Sequence, residues 1–221
     1  MTPYYEQDGI SIFLGDCQDV LPTIEAGNVD LVLTDPPYGI SLQEHGRNGH
    51  DWSVVGDDDQ TVGIAMLDAL AASKTPRMVF GSPKRPWPGR WRQHLVWDKG
   101  PAVGGGGDPS TCWKTTWEVI QVADTPKLNG PRDSAVLRYW VGQRDYHHHP
   151  CQKPVPLLRY LIEKTTQPGA TVADLFMGSG STLVAAKETG RRAIGIEIEE
   201  RYCEIAVRRL QQSVMNLAVA V

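Results

Sequence analysis

The sequence predicts an α/β fold, a doubly wound parallel sheet in a single domain. Short, almost wholly apolar runs recur at residues 29–34 (VDLVLT), 171–176 (TVADLF) and 193–197 (AIGIE). Runs of this kind suit strands buried on both faces of a parallel sheet. Stretches with apolar residues at helical spacing alternate with them, as βαβ units require. The chain's 221 residues, 41% hydrophobic and 22% charged, are enough for one domain with a packed core and too few for two large ones.

In chain order, residues 10–14 read as a short strand and 29–34 as a buried one, stopped by Asp35-Pro36-Pro37. Residues 60–73 place Val62, Ala65, Met66, Ala69 and Leu70 at helical spacing. Residues 78–80, 95–97, 119–122 and 137–141 read as further strands. Residues 155–166 put Leu158, Leu161 and Ile162 on one helical face. After the strand at 171–176 comes a helix at 181–189, which Gly190 is placed to end. The strand at 193–197 leads into a helix at 199–213 with Tyr202, Ile205, Ala206 and Leu210 on one face. Three stretches break the rhythm: the polar residues 41–59, residues 100–113 with four glycines at 104–107, and the turn-rich residues 124–134. These are expected to be loops on the scaffold, where recognition tends to sit.

Composition narrows the function classes. No apolar run approaches the roughly 20 residues of a membrane helix, and the N-terminal stretch lacks the basic and apolar regions of a secretory signal. Cys17, Cys112, Cys151 and Cys203 are widely spaced with no CxxC pair, so neither a zinc ribbon nor a disulfide framework is expected. A reducing, cytoplasmic setting and chemically inert thiols follow as expectations. His147, His148 and His149 are consecutive, cannot all point one way, and have no second ligand cluster, so no metal is expected. The net charge of −4 is uneven: residues 74–103 carry seven bases and one acid, net +6, which leaves −10 for the rest. Lys84, Arg85, Arg90 and Arg92 in that window are candidate phosphate contacts, although a solvated loop has the same composition. Trp87, Trp91 and Trp97 interleave with them. Trp97 is expected in the core, and Trp87, between two prolines, at the surface.

Two segments carry chemistry. In the first, Asp174-Leu175-Phe176-Met177-Gly178-Ser179-Gly180-Ser181-Thr182, a strand runs through a glycine turn into a helix. Glycines allow a tight turn and close approach to a ligand, and the helix N-terminus offers free N–H groups. Glu197 ends the next strand 19 residues after Gly178, where an acid suits a ribose diol. The third glycine of GxGxxG is replaced by Leu183, which favours a nucleoside ligand without a pyrophosphate over a dinucleotide. A tight βα turn beside a solvated carboxylate would read the same way. The second segment is Asp35-Pro36-Pro37-Tyr38. Two prolines fix the backbone and remove two donors, so a carboxylate and a carbonyl can together receive both hydrogens of an amino group. Tyr38 offers a flat face for a base. The bland reading is a proline-rich turn with a surface tyrosine.

With these motifs on one chain, the sequence resembles the S-adenosylmethionine-dependent amino-methyltransferases that act on exocyclic amines in DNA. DPPY matches the family's catalytic tetrapeptide and DLFMGSGST its cofactor motif. DPPY coming first resembles the permuted β group. Gly15-Asp16-Cys17, 19 residues before Asp35, looks like the adenine-contacting segment, and residues 149–154 (HPCQKP) resemble the family's HPxQKP. The resemblance covers nearly the whole chain in the expected order. It implies a single Rossmann-like methyltransferase domain, with a catalytic half at 1–123, a short target-recognition segment at 124–148 and a cofactor half at 149–213. Asp35 and the Pro36 carbonyl would bind the target amine, Pro37 would stiffen the turn, and Tyr38 would stack on the base. Phe176, Gly178, Ser179, Gly180 and Thr182 would line the cofactor, and Glu197 would hold its ribose. Asp16 would meet the adenine, while Asp174 and Lys153 would lie near the methionine end. The expected function is methyl transfer from S-adenosylmethionine to adenine N6 in DNA, with the base flipped from the duplex. The alternatives are cytosine N4 as target, or a non-catalytic nucleic-acid-binding protein that keeps the fold. DNA is the expected partner, with no membrane; a homodimer and a nuclease partner are both compatible with the sequence. The short segment between the halves implies a brief or relaxed recognition site.

Overall fold

The computed structural model describes residues 1–24, 26–39, 43–45, 51–53, 60–101, 113–124, 128–140 and 152–218. His147–His149, Cys112, Cys151 and the glycines at 104–107 lie outside these residues.

The chain begins with β1 (Tyr5–Gln7) and β2 (Ile10–Leu14), an antiparallel hairpin. Asp8 and Gly9 form its two-residue turn, both with positive φ (53° and 76°), the backbone a type I′ turn demands. Next come α1 (Cys17–Val20), β3 (Leu31–Thr34) and a separate small hairpin of β4 (Gln43–His45) and β5 (Asp51–Ser53). Helix α2 (Thr61–Ser73) leads to β6 (Arg77–Gly81), β7 (Gln93–Asp98), β8 (Trp117–Ala123) and β9 (Val136–Arg138). The last third is α3 (Val155–Thr165), β10 (Thr171–Asp174), α4 (Ser181–Glu188), β11 (Arg192–Glu197) and α5 (Glu200–Ala218).

Nine strands form one sheet in the order β1-β2-β11-β10-β3-β6-β8-β7-β9. Its five-stranded centre, β2 to β6, is parallel as expected. The flanks correct the all-parallel expectation: β1 is antiparallel to β2, and β8 is antiparallel to both β6 and β7. Parallel neighbours need a long crossover. The Asp8-Gly9 turn supplies none, and among the described residues no helix joins β7 to β8.

Strand alternation divides the core in two. Leu31, Leu33, Met78 and Phe80 face the side covered by α3, α4 and α5, with Leu158, Leu161, Leu183 and Ala206 among their partners. Val32, Ala173 and Ile196 face the side of α1 and α2, with Val20, Met66 and Leu70. Trp87 corrects an expectation: it is only 2% exposed. A Cβ on Gly63 or Gly81 would come within 2.6 Å or 3.1 Å of its indole, so two glycines open the slot that receives it. The Gln121 amide bonds Trp87's backbone in both directions, and the indole Nε1 donates to the Phe80 carbonyl at 2.8 Å. Trp97 is buried, as expected.

From β10 the chain passes through α4 to β11 on one side, and from β3 through α2 to β6 on the other. The strand order therefore reverses between β10 and β3. In open α/β sheets, ligands bind outside the carboxyl ends of the strands at such a point.

Candidate active site

At the carboxyl edge of the sheet, Asp174 ends β10 and Asp35 follows β3, so the two acids flank the reversal. Thr34 joins them. Its hydroxyl donates to Asp174 Oδ1 at 2.8 Å and accepts from the Leu175 amide at 3.2 Å. The Thr182 hydroxyl and the Phe176 amide also bond the Asp174 carboxylate. Burial nevertheless pushes its pKa up to about 6, with the Asp35 charge adding to the rise.

The glycine turn lies over this acid. Gly178 and Gly180 both have left-handed backbone, φ 49° and 77°, and a Cβ on Gly180 would sit 2.7 Å from Ala206 on α5. Glycine therefore serves both turn geometry and helix packing here. Arg209 on α5 clamps the turn, its guanidinium donating to the Ser179 carbonyl at 2.6 Å, Ser179 Oγ at 3.0 Å and Ser181 Oγ at 3.1 Å. Desolvation lowers its pKa to about 10. Arg209 was not legible in the sequence, where it is one polar residue on an amphipathic helix. Glu197, at the end of β11, accepts from the Gly178 and Glu199 amides, each at 2.9 Å, while burial raises its pKa. The Ile198 amide also bonds this carboxylate, which still keeps acceptor capacity for a further donor. Asp16 caps α1 by accepting from the Gln18 amide at 2.8 Å, and the Gly15 amide ties that corner to the Glu197 carbonyl. Asp16, Glu197, the glycine turn and Asp174 thus follow one another along the carboxyl edge of the sheet, with the half-buried Phe176 between the last two.

On the other side of the reversal stands Asp35. Tyr38 Oη lies 2.6 Å from its Oδ1, and Lys153 Nζ donates to its Oδ2 at 2.5 Å. Lys153, expected near the methionine end of the cofactor together with Asp174, bonds Asp35 directly. Its ammonium also lies 3.3 Å from Glu118 Oε2 and over the rings of Phe80, Tyr38 and Trp97. Glu118 on β8 binds Lys99 Nζ at 2.6 Å through Oε1, and Tyr38 Oη lies 3.2 Å from Oε2. Burial raises the Asp35 pKa against the pull of Lys153. At Glu118 burial also acts upward, but Lys153 and Lys99 together outweigh it and hold the carboxyl below its ordinary range. Glu118 and Lys99 carry no local signal, since each is a charge at the end of a strand. Cys17 and Cys203 are buried, and desolvation pushes both thiols up to about 12, so neither of these two is a reactive thiolate. Among the described residues, no group of His, Cys, Asp and Glu could hold a metal ion, and no helix is long and apolar enough to cross a membrane.

The basic window does not form one patch. Lys84 and Arg85 follow the carboxyl end of β6, and the Arg85 guanidinium bonds the Gly39 carbonyl beside the DPPY turn. Arg90 and Arg92 precede β7, whose first residue pairs with Val122 at the opposite sheet edge. Lys74 and Arg77 also lie at that edge, Arg77 pairing with Asp124, while Lys99 is inside the site.

Residues 83–208 match the N6/N4 DNA methylase family. YubD of Escherichia coli (strain K12) is 32% identical over 223 residues, covering 89% of this chain and 88% of YubD. The DNA adenine methyltransferase YhdJ of the same organism is 44% identical over 74 residues, covering 34% of this chain and 24% of YhdJ. The crystal structure of the M1.HpyAVI–SAM complex superposes with a TM-score of 0.64 at 22% identity, over 91% of this chain and 98% of that one. That likeness establishes the fold, a Rossmann-like α/β domain. The match over more than half of the chain, together with a relative similar over almost its full length, places the protein in the N6/N4 DNA methylase family.

Proposed function

We propose that the chain transfers a methyl group from S-adenosylmethionine to N6 of adenine in DNA, and that it is of the permuted β type. The observation that carries this reading is Asp35 at the strand reversal, held beside Tyr38 and joined through Thr34 to Asp174 at the glycine turn. The residues along this edge fit the cofactor. Glu197 offers acceptors to a diol, Gly178 and Gly180 give the turn the left-handed backbone that shapes it, and Asp174, Asp16 and Glu197 supply negative charge to a cationic ligand. Adenine is supported by DPPY itself and by the likeness to YhdJ, a DNA adenine methyltransferase.

When bound, S-adenosylmethionine supplies an electrophilic methyl group. Asp35 and the Pro36 carbonyl take the two hydrogens of the target amine and aim the nitrogen lone pair. For this, Asp35 Oδ1 exchanges the Tyr38 hydroxyl for an amine hydrogen. The Tyr38 ring stacks on the base, and the Asp35 carboxylate stabilises positive charge developing on nitrogen. Lys84 and Arg85 stand beside the DPPY turn, where phosphates of a bound duplex would pass.

The test incubates mixed DNA with methyl-labelled cofactor and analyses the nucleosides. Labelled N6-methyldeoxyadenosine is expected, whereas N4-methyldeoxycytidine would reassign the base. Asp35→Ala is expected to abolish transfer while keeping the fold and most cofactor affinity, because its carboxylate serves an amine absent from the binary complex.

A further inference from the structure

Glu118 and Lys99 take no part in the steps above, yet they stand in the centre of the site, their side chains only 14% and 17% exposed. We propose that they are positioning residues that set how strongly Asp35 accepts the target amine, acting through Lys153 and Tyr38. The proposal rests on the methyl-transfer reading given above.

Four charges alternate across the site. Lys99 Nζ lies 2.6 Å from Glu118 Oε1, Lys153 Nζ lies 3.3 Å from Glu118 Oε2, and the same ammonium lies 2.5 Å from Asp35 Oδ2. The set is neutral with all four members, and removing any single one leaves a net charge. Lys153 alone would bind Asp35 as a closed ion pair and leave a poor acceptor. Glu118 divides the ammonium between two carboxylates. Lys99, on Glu118's far oxygen, limits how much of the ammonium Glu118 can draw away. The groups facing Asp35 are thus Lys153 ahead of α3, Tyr38 on its own turn, Glu118 on β8 with Lys99 from the end of β7, and Asp174 on β10.

Glu118 also gives Tyr38 an alternative. The hydroxyl has one hydrogen and two carboxylates in reach, Asp35 Oδ1 at 2.6 Å and Glu118 Oε2 at 3.2 Å. When the amine arrives, Tyr38 can turn its hydrogen to Glu118 and free Oδ1. In the transfer, nitrogen forms a bond to the methyl carbon, the carbon–sulfur bond breaks with its electron pair going to sulfur, and one amine proton leaves to the Asp35 carboxylate. The acceptor strength of Asp35 therefore bears directly on turnover.

Removing the Glu118 charge leaves Lys153 wholly to Asp35, which should ionise at lower pH. Removing the Lys99 charge should act oppositely. The test titrates the Asp35 carboxyl by carbon-13 NMR in the ligand-free protein, in wild type, Glu118→Gln, Lys99→Gln and the double variant. Glu118→Gln is expected to lower the midpoint by about one pH unit and Lys99→Gln to raise it, with the double variant returning toward wild type. The acid limb of the methyl-transfer profile should move in the same directions. The turnover number of Glu118→Gln should fall about ten-fold with unchanged KM for the cofactor. Midpoints that stay put, or that move the same way in both single variants, overturn the proposal. The NMR titration needs neither cofactor nor DNA, so it judges the proposal even if the wild type fails to methylate DNA, a result that overturns the functional reading instead.

Discussion

Asp174 is held by Thr34, Thr182 and the Phe176 amide and is only 4% exposed, and its ordinary pKa of 3.8 rises to about 6. The folded state therefore holds its proton more tightly than the unfolded chain. Its contribution to stability is full below pH 4 and is lost as the pH rises through 6, which leaves an ionised, poorly solvated carboxylate at neutral pH. Asp174→Asn keeps an acceptor for Thr34 and removes the charge. In the ligand-free protein it should raise unfolding free energy by about 1–3 kcal/mol at pH 8 and by much less at pH 4.5, while cofactor affinity falls. Urea unfolding at the two pH values checks this, and an equal effect at both would contradict it. Glu197 differs in having backbone donors already. Glu197→Ala removes the acceptor assigned to the ribose and should weaken cofactor binding by about 1–3 kcal/mol. Calorimetry measures it, and unchanged affinity would remove Glu197 from the cofactor site.

At the scale of elements, the glycine turn is shaped by a helix distant in sequence. Arg209 on α5 holds the Ser179 carbonyl, and Ala206 one turn earlier fills the space against Gly180. Gly180→Ala would place a methyl group 2.7 Å from Ala206 and force a side chain into φ 77°. The expected loss is about 1–3 kcal/mol of stability, as overpacking in a well-filled core causes, together with weaker cofactor binding because α4 and α5 must separate. Thermal unfolding and calorimetry on one preparation test both effects. A variant of wild-type stability would show that the turn tolerates the added atom. Asp8-Gly9 carries a signal at this scale. A two-residue Asp-Gly turn marks a hairpin, and Asp8-Gly9 directly ahead of the Ile10–Leu14 strand points to β1 as its partner. Trp87 was not legible, because its burial depends on Gly63 and Gly81 from two separate elements.

For the whole molecule, the strand register decides which charges can meet DNA at the site. Lys84 and Arg85 lie at the carboxyl edge beside DPPY, and Arg90 and Arg92 at the opposite edge. Lys84→Ala with Arg85→Ala should weaken DNA binding to all sequences alike and reduce the salt slope by about 0.9 for each phosphate that is no longer neutralised. Arg90→Ala with Arg92→Ala should leave the slope as in wild type. Salt-dependent binding of the two double variants compares them directly, and the reverse ranking would put the DNA on the other edge.

The sequence by itself determined what contiguous residues determine. Strand periodicity, the glycine turn, DPPY and Glu197 after the next strand were all legible, because each joins a local backbone pattern to a residue type with few uses. The same local patterns marked Asp35, Tyr38, Asp174 and Gly178 as candidates for the site. Only the tertiary structure decided how these parts meet. Lys153 and Asp35 are 118 residues apart, Glu118 on β8 and Lys99 just after β7 belong to stretches whose pattern says nothing of their side-chain partners, and a basic run that looks like one patch is divided between two edges. The cause is geometric: a sheet brings strand ends together across any sequence separation, and which charges then face each other depends on strand order and register rather than on any short stretch of chain.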